Sequence, residues 1–206
     1  MLHKEAIAED ALELLIKLQQ DDMLKDFWLA GGTALALLIG HRISDDLDMF
    51  TRKDFDTEQL LEHLESAYHF MLEYSARNTL RGIIGNINLD FITHRYPLAG
   101  ESLTIEGIRI LSIQDIAAMK LNAIAGDGTR AKDFIDIYFI LKQFTLPQIL
   151  NFYSTRYTTR NRFHVLKSLA YHGDIDEAAW PKMILEKDLS LSKVKSEIIK
   201  HIKSFS

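Results

Sequence analysis

The spacing of apolar positions divides the chain into a mixed first half and a helical second half. Residues 4–20 place Ile7, Ala11, Leu14, Leu15 and Leu18 on one helical face. Residues 27–30 read as a short buried strand entering Gly31-Gly32. Thr33 is expected to N-cap a brief helix over 34–39, which Gly40 ends. A strand over 43–50 follows, with Ile43, Leu47 and Met49 on one face and Ser44, Asp46 and Asp48 on the other. A helix is expected over 57–68, then strand segments over 70–77, 82–94 (bent at Gly85) and 103–111.

From residue 112 the period becomes helical. Ser112-Ile113-Gln114-Asp115 resembles a capping box at the start of a helix reaching about 125. Further helices are expected over 130–144, 147–158 (Pro147 at its first position), 161–171 and 191–204, with 172–190 ambiguous. The fold class is therefore α+β, with a mixed core over 1–111 and a helical region over 112–206.

Composition narrows the setting. The 206 residues include 47% apolar ones and no cysteine, which excludes a disulfide framework and thiolate metal sites. Residues 3–7 lack the start of a signal-peptide core, and the longest apolar run, 27–39, is too short to span a bilayer. A cytoplasmic protein that does not enter a membrane is expected. Net charge is −5, but unevenly spread: residues 1–100 carry 9 Lys/Arg against 17 Asp/Glu, and 101–206 carry 15 against 12. Bulk charge does not signal nucleic acid, and the second half is the better surface for one.

Candidate chemistry concentrates between Gly31 and Asp48. Glycine lets a backbone approach a ligand closely, and amides at a helix start face an anion, so Gly31-Gly32-Thr33 suits a phosphate. Ser44 supplies a hydroxyl. Arg42 either contacts phosphate or pairs at the surface with Asp45. Asp46 and Asp48, ~7 Å apart on one strand face, suit a divalent cation. Asp90 alternates away from Ile87, Leu89 and Phe91, and joins them if its strand lies alongside; otherwise it is a solvated acid. Three carboxylates form an oxygen-rich site for Mg²⁺ or Mn²⁺.

Lys120 falls between Ile116 and Ile124 on an apolar stripe. Burying an unpaired ammonium costs several kcal/mol, so it needs a carboxylate, a phosphate or an escape to water. Asp133 and Asp136, near Lys132, either face a cleft or complement the helix dipole, and pairing with Lys120 or Lys132 unites the two readings. Asp115 reads as a helix cap. Arg156, Arg160, Arg162, His164 and Lys167, interleaved with Tyr153, Tyr157 and Phe163, either meet RNA or form a solvated surface. The eight histidines show no metal-ligand spacing.

Three of these motifs together resemble the AbiEii/AbiGii toxin family of nucleotidyltransferase-like proteins. They are Gly31-Gly32-Thr33-Ala34-Leu35-Ala36-Leu37 with Gly40-His41-Arg42-x-Ser44-x-Asp46-Leu47-Asp48-x-Phe50, then Ala118-Met119-Lys120-Leu121-x-Ala123-Ile124, then Arg130-x-Lys132-Asp133-x-x-Asp136. The resemblance implies a polymerase-beta-like nucleotidyltransferase core with a helical extension, using NTP and Mg²⁺. By correspondence Asp46 and Asp48 are metal ligands, Gly32, Thr33 and Ser44 line the triphosphate site, and Lys120 binds phosphate. Lys132, Asp133 and Asp136 belong to the downstream motif, and Asp90 matches the third acid of the wider fold. The resemblance further implies transfer of NMP to an acceptor hydroxyl, on a tRNA 3′ end or a protein. It also implies a toxin of a toxin–antitoxin or phage-defence system with an antitoxin encoded nearby. A catalytically silent nucleotide- or partner-binding protein is the alternative, and a metal-dependent phosphohydrolase a third.

Overall fold

The computed structural model describes every residue except Thr159 and Ser206. Two compact units divide the chain: Met1–Tyr96 with Ser102–Leu111, and Pro97–Glu101 with Ser112–Ser206.

The first unit is a mixed sheet with helices packed on it. In chain order come α1 (Glu9–Gln20), β1 (Trp28–Ala30), α2 (Gly31–Ile39), β2 (Leu47–Thr51) and α3 (Thr57–Tyr68). Strands β3 (Met71–Ala76), β4 (Thr79–Ile84), β5 (Ile87–Thr93), β6 (Leu103–Ile105) and β7 (Ile108–Ile110) complete it. Spatial order is β3-β4-β5-β2-β1-β7-β6, with β2–β5 and β1–β7 parallel and the other pairs antiparallel.

Register explains the alternation. Leu29 pairs with Met49, Met49 with Phe91 and Phe91 with Leu80, and all four are fully buried. The Phe91 ring meets Phe27 edge-on at 5.5 Å and Phe70 at 6.3 Å, a geometry that aromatic quadrupoles favour. One residue along each strand, the side chains turn to the opposite face, and there the polar residues gather.

Several expected elements are shorter or divided. The strand expected over 43–50 begins only at Leu47, because the backbone before it bonds elsewhere. Ser44 N–H donates to the Ala6 carbonyl at 3.0 Å, and the Thr33 hydroxyl donates to the Asp46 carbonyl. Ser44 and Asp46 therefore sit on a loop rather than on the strand face beside Asp48. The helix expected over 4–20 breaks into a 3₁₀ turn, Lys4–Ala6, and α1, where Ala8 is extended and its N–H donates to Asp45 at 2.7 Å. The segment 82–94 is divided between the end of β4 and β5, antiparallel strands joined by a turn at Gly85, whose φ is +63°. Segment 103–111 is a hairpin too, and its Glu106-Gly107 turn has two positive φ angles, 52° and 82°, as a tight right-twisted turn requires.

A partly buried carboxylate fastens α3 to the chain ahead of β1. Asp21 accepts from His63 at 2.6 Å, Tyr68 at 2.7 Å and the Met23 amide at 2.8 Å. Burial disfavours its charge, but these bonds outweigh burial and hold its pKa below the ordinary 3.8. A depressed folded-state pKa gives stability that is present above the unfolded value and lost as pH falls through the folded one. Asp21→Asn is expected to cost about 1–2 kcal/mol at pH 7. Urea titrations from pH 7 to 3 should show its deficit against wild type shrinking below about pH 4.

The second unit is helical: α4 (Ile113–Gly126), α5 (Ala131–Ile140), α6 (Leu146–Arg156), α7 (Arg162–Ala170) and α8 (Leu191–Phe205). Helix α4 packs on α5, α6 and α7. The stretch 172–190 contains one 3₁₀ turn, Glu177–Ala179. The Ser112 hydroxyl caps α4 by accepting from the Asp115 amide at 3.1 Å. Asp115 is more than a capping residue. Its fully buried carboxylate pairs with Arg156 and accepts from the amides of Ala99 (2.8 Å) and Gly100 (3.3 Å). Arg156 also donates to the Pro97 carbonyl at 3.2 Å. Arg156, expected in an exposed basic cluster, is thus a core residue at 2% exposure. Among the described residues no helix is long and apolar enough to cross a membrane.

Candidate active site

One row of paired positions crosses four strands of the first unit. Ala30 of β1 pairs with Asp48 of β2, Asp48 with Asp90 of β5, and Asp90 with Arg81 of β4. Paired positions point to the same face, so two carboxylates and a guanidinium stand side by side. The sequence alternation put Asp48 and Asp90 on polar faces, and the parallel β2–β5 pairing makes those faces one. Arg81 Nε lies 3.2 Å from Asp90 Oδ2.

Asp90 is half-buried, and its pKa is raised above the usual carboxylate value. Desolvation is the largest cause; Arg81 opposes it, and Asp46 and Glu73 reinforce it by repulsion. Asp46 therefore feels Asp90 although it precedes the strand. Asn88, two residues before Asp90 on the same face, donates from its side-chain amide to Asp46 at 3.0 Å.

The glycines complete this edge of the site. Gly31 follows β1 with φ +67°, and a Cβ there would overlap the Asp48 carboxylate. A Cβ on Gly32 would press on the Arg42 guanidinium and the Ser44 hydroxyl. Helix α2 starts at Gly31, three residues earlier than expected. Thr33 is therefore inside the helix, buried, with its hydroxyl 3.0 Å from Ser44 Oγ. It ties the glycine turn to the 43–46 loop and is not an N-cap. Arg42 is 2% exposed and donates to the Ile43 carbonyl at 3.1 Å. The surface pairing with Asp45 does not occur; Asp45 serves the Ala8 amide.

Gly31→Ala should destabilise the protein by about 1–2 kcal/mol through its positive φ alone. It should also displace the Asp48 carboxylate. Thermal melts and NTP-binding titrations of the variant check both effects, and Gly85→Ala, where a Cβ meets open space, controls for the backbone term.

The second unit gathers its own charged group. Lys120 Nζ lies 2.7 Å from both Asp133 and Asp136. The three side chains are 8%, 2% and 0% exposed, so Lys120 does not reach water along its stem. Arg130 Nε stands 3.6 Å from the second Asp133 oxygen, and Lys132 is half-buried. An ammonium between two carboxylates satisfies the apolar-stripe position that periodicity assigned to Lys120, and the partner acids are those of the Lys132–Asp136 stretch.

A divalent cation fits the first unit by chemistry. Asp46, Asp48 and Asp90 offer only oxygen, and the Asp48 carboxylate lies against the bare Gly31 backbone, where a side chain would displace it. Among the described residues no three His, Asp or Glu side chains are gathered closely enough to hold a metal by themselves. Mg²⁺ commonly needs only one or two carboxylates, with phosphate oxygens and water filling the octahedron.

Arg81 and Asn88 were not anticipated. Asn88 was accessible through the two-residue alternation that exposed Asp90. Arg81 was not, because a single strand over 82–94 excludes the hairpin register that brings it opposite.

Solved structures with this fold include nucleotidyltransferases. MenT4, a nucleotidyltransferase toxin of Mycobacterium tuberculosis H37Rv, superposes with a TM-score of 0.62 at 16% identity, covering 94% of this chain and 80% of its own. The protein JHP933 of Helicobacter pylori gives 0.56 at 22%, covering 96% and 92%. The antibiotic-resistance factor ANT(2″)-Ia gives 0.55 at 14%, covering 78% and 97%. These likenesses define a nucleotidyltransferase fold. An uncharacterized protein of Aquifex aeolicus strain VF5 is 34% identical over 177 residues, 83% of this chain and 84% of that protein. Residues 13–80 and 69–196 match the AbiEii nucleotidyl transferase toxin family of Type IV toxin–antitoxin systems, and the chain belongs to that family.

Proposed function

We propose that the protein transfers a nucleoside monophosphate from an NTP to an acceptor hydroxyl and serves as the toxin of a toxin–antitoxin system. The observation that carries this reading is the register row, which sets Asp48 beside Asp90 and against the bare Gly31 Cα. The amides opening α2 and the Ser44 hydroxyl receive triphosphate oxygens. Asp46 and Asp48, with Asp90 beside them, would hold Mg²⁺, or Mn²⁺ in its place, together with phosphate oxygens and water. When bound, the ion supplies charge neutralisation at the phosphates.

The acceptor oxygen forms a bond to the α-phosphorus, the bond from that phosphorus to the bridging oxygen breaks, and pyrophosphate leaves. Asp90, whose burial and acidic neighbours strengthen its hold on a proton, takes the acceptor's proton. Asn88 and Thr33 fix Asp46 at its side chain and its carbonyl. The Arg42 guanidinium lies close to Gly32, where a side chain would crowd it. Lys120, locked by Asp133 and Asp136, acts on phosphate where a ligand exchanges with one of those carboxylates, and Lys132 assists it. We assign the activity to the cytoplasm and expect a cognate antitoxin encoded alongside.

The test is incubation of the purified protein with α-labelled NTPs, Mg²⁺ and total tRNA, with a protein acceptor pool alongside. Label on an acceptor and release of pyrophosphate support the proposal. No transfer from any NTP, with Mn²⁺ also tried, overturns it. NTP-dependent thermal stabilisation without turnover would then mark a silent nucleotide-binding protein, and free inorganic phosphate a phosphohydrolase.

A further inference from the structure

Helix α7 carries an exposed face that the nucleotide chemistry leaves unused. Phe163 is 61% exposed and Tyr171, at the end of the helix, 58%. Phe163, Lys167 and Tyr171 follow one another at four-residue spacing and share a face, with exposed Arg160 three residues before them. Lys167 Nζ stands 4.8 Å from the centre of the Phe163 ring, and the Arg160 guanidinium 5.6 Å from that of Tyr157. Cations over ring faces attract electrostatically; the Tyr157 ring is buried at 2% exposure, whereas the Phe163 ring is exposed.

The charge around this face is mostly positive, with Asp174 at its end accepting from the Tyr171 hydroxyl at 3.1 Å. From Ile137 to Gly173 the chain has five Lys/Arg and no Asp or Glu, in a protein of net charge −5. Two of the five are committed elsewhere, Arg156 to Asp115 and Lys142 to Glu186. Arg160, Arg162 and Lys167 remain, all exposed. A local positive field of this kind complements a polyanion. The exposed rings narrow the choice. Single-stranded nucleic acid stacks its bases on aromatic rings and lays phosphates on the cations between them. An acidic peptide uses only the cations. A bilayer needs a continuous apolar face, whereas the aliphatic Val165 and Leu169 of α7 are buried.

We propose that the Arg160–Phe163–Lys167–Tyr171 face of α7 binds single-stranded nucleic acid. It involves the helical unit alone and stands or falls independently of nucleotidyl transfer.

Fluorescence anisotropy of the full chain with labelled oligouridine and oligothymidine tests it, and binding of either strand supports the proposal. The Phe163→Ala/Tyr171→Ala pair should weaken binding about tenfold or more, whereas Tyr171→Phe, which keeps the ring, should bind as wild type does. Arg160→Ala/Lys167→Ala should reduce the slope of log K against log salt by about 1.4, the loss of two phosphate contacts. These side chains are exposed, so melting temperatures should hold and separate lost binding from lost folding. The proposal is overturned if neither oligonucleotide binds at low salt, if both double variants bind as wild type does, or if a polyglutamate peptide displaces the strand at equal charge concentration. That last result would assign the face to an acidic protein.

Discussion

Asp48→Asn is expected to leave the protein folded while cutting nucleotidyl transfer by at least about a thousandfold. The side chain keeps its size, so the buried row behind it, Met49 with Leu29 and Phe91, is untouched. What changes is charge. Asp48 is paired in register with Asp90, a carboxylate already raised by burial and by neighbouring acids. The amide is isosteric with the carboxylate that lies against Gly31, so the melting temperature should hold. Loss of rate without loss of stability separates a ligand role from a structural one. The measurement is initial rate of label transfer across a Mg²⁺ series, with a melt of the same preparation. Full activity in the variant would remove Asp48 from the site.

Arg156→Met should be the most destabilising of these changes. Arg156 and Asp115 are 2% and 0% exposed. Truncating one partner of a buried ion pair leaves the other charge uncompensated and typically costs about 3–5 kcal/mol. In a chain of this size that is a fall in melting temperature on the order of 10 °C. Asp115 keeps its bonds from Ser112 (2.6 Å) and the Ala99 amide, but no cation. Adding Asp115→Asn to Arg156→Met should therefore cost less than the two single changes summed. Denaturant melts of the four proteins measure the coupling. A drop under about 2 °C for Arg156→Met would mean that the pair contributes little to folding.

Local pattern revealed some of these features and hid others. The glycine turn was legible because glycine is the residue that tolerates both a positive φ and a carboxylate against its Cα, as at Gly31. The placement of Lys120 was legible because an apolar stripe continues on both sides of it. Its partners were half legible: Asp133 and Asp136 stood out as acids on an apolar helical face, but nothing local chose Lys120 over Lys132. Arg156 was misread for the same reason. Its partner is 41 residues away, and a basic side chain near other basic side chains looks solvated until that partner is known. Asp46 was placed on a strand by alternation that does not continue in space. The loop there is held by Ala6, Thr33 and Asn88, all distant in sequence. Short-range pattern encodes which face a residue takes; long-range hydrogen bonding decides where an element stops.

Residues 97–101 leave the sheet-bearing unit after Tyr96 and return to it at Ser102. While away they are held by Asp115 and Arg156. The chain therefore crosses from one unit to the other three times. A gene cut at codon 112 and joined to a foreign helical partner would strand Pro97–Glu101 without the carboxylate and guanidinium that grip them. Nor would a single protease cut between Leu111 and Ser112 release the helical part, since those five residues stay bound to it while remaining covalently part of the other piece. Recombination that swaps one unit at a time is thereby disfavoured, and descendants of this chain should inherit both units together.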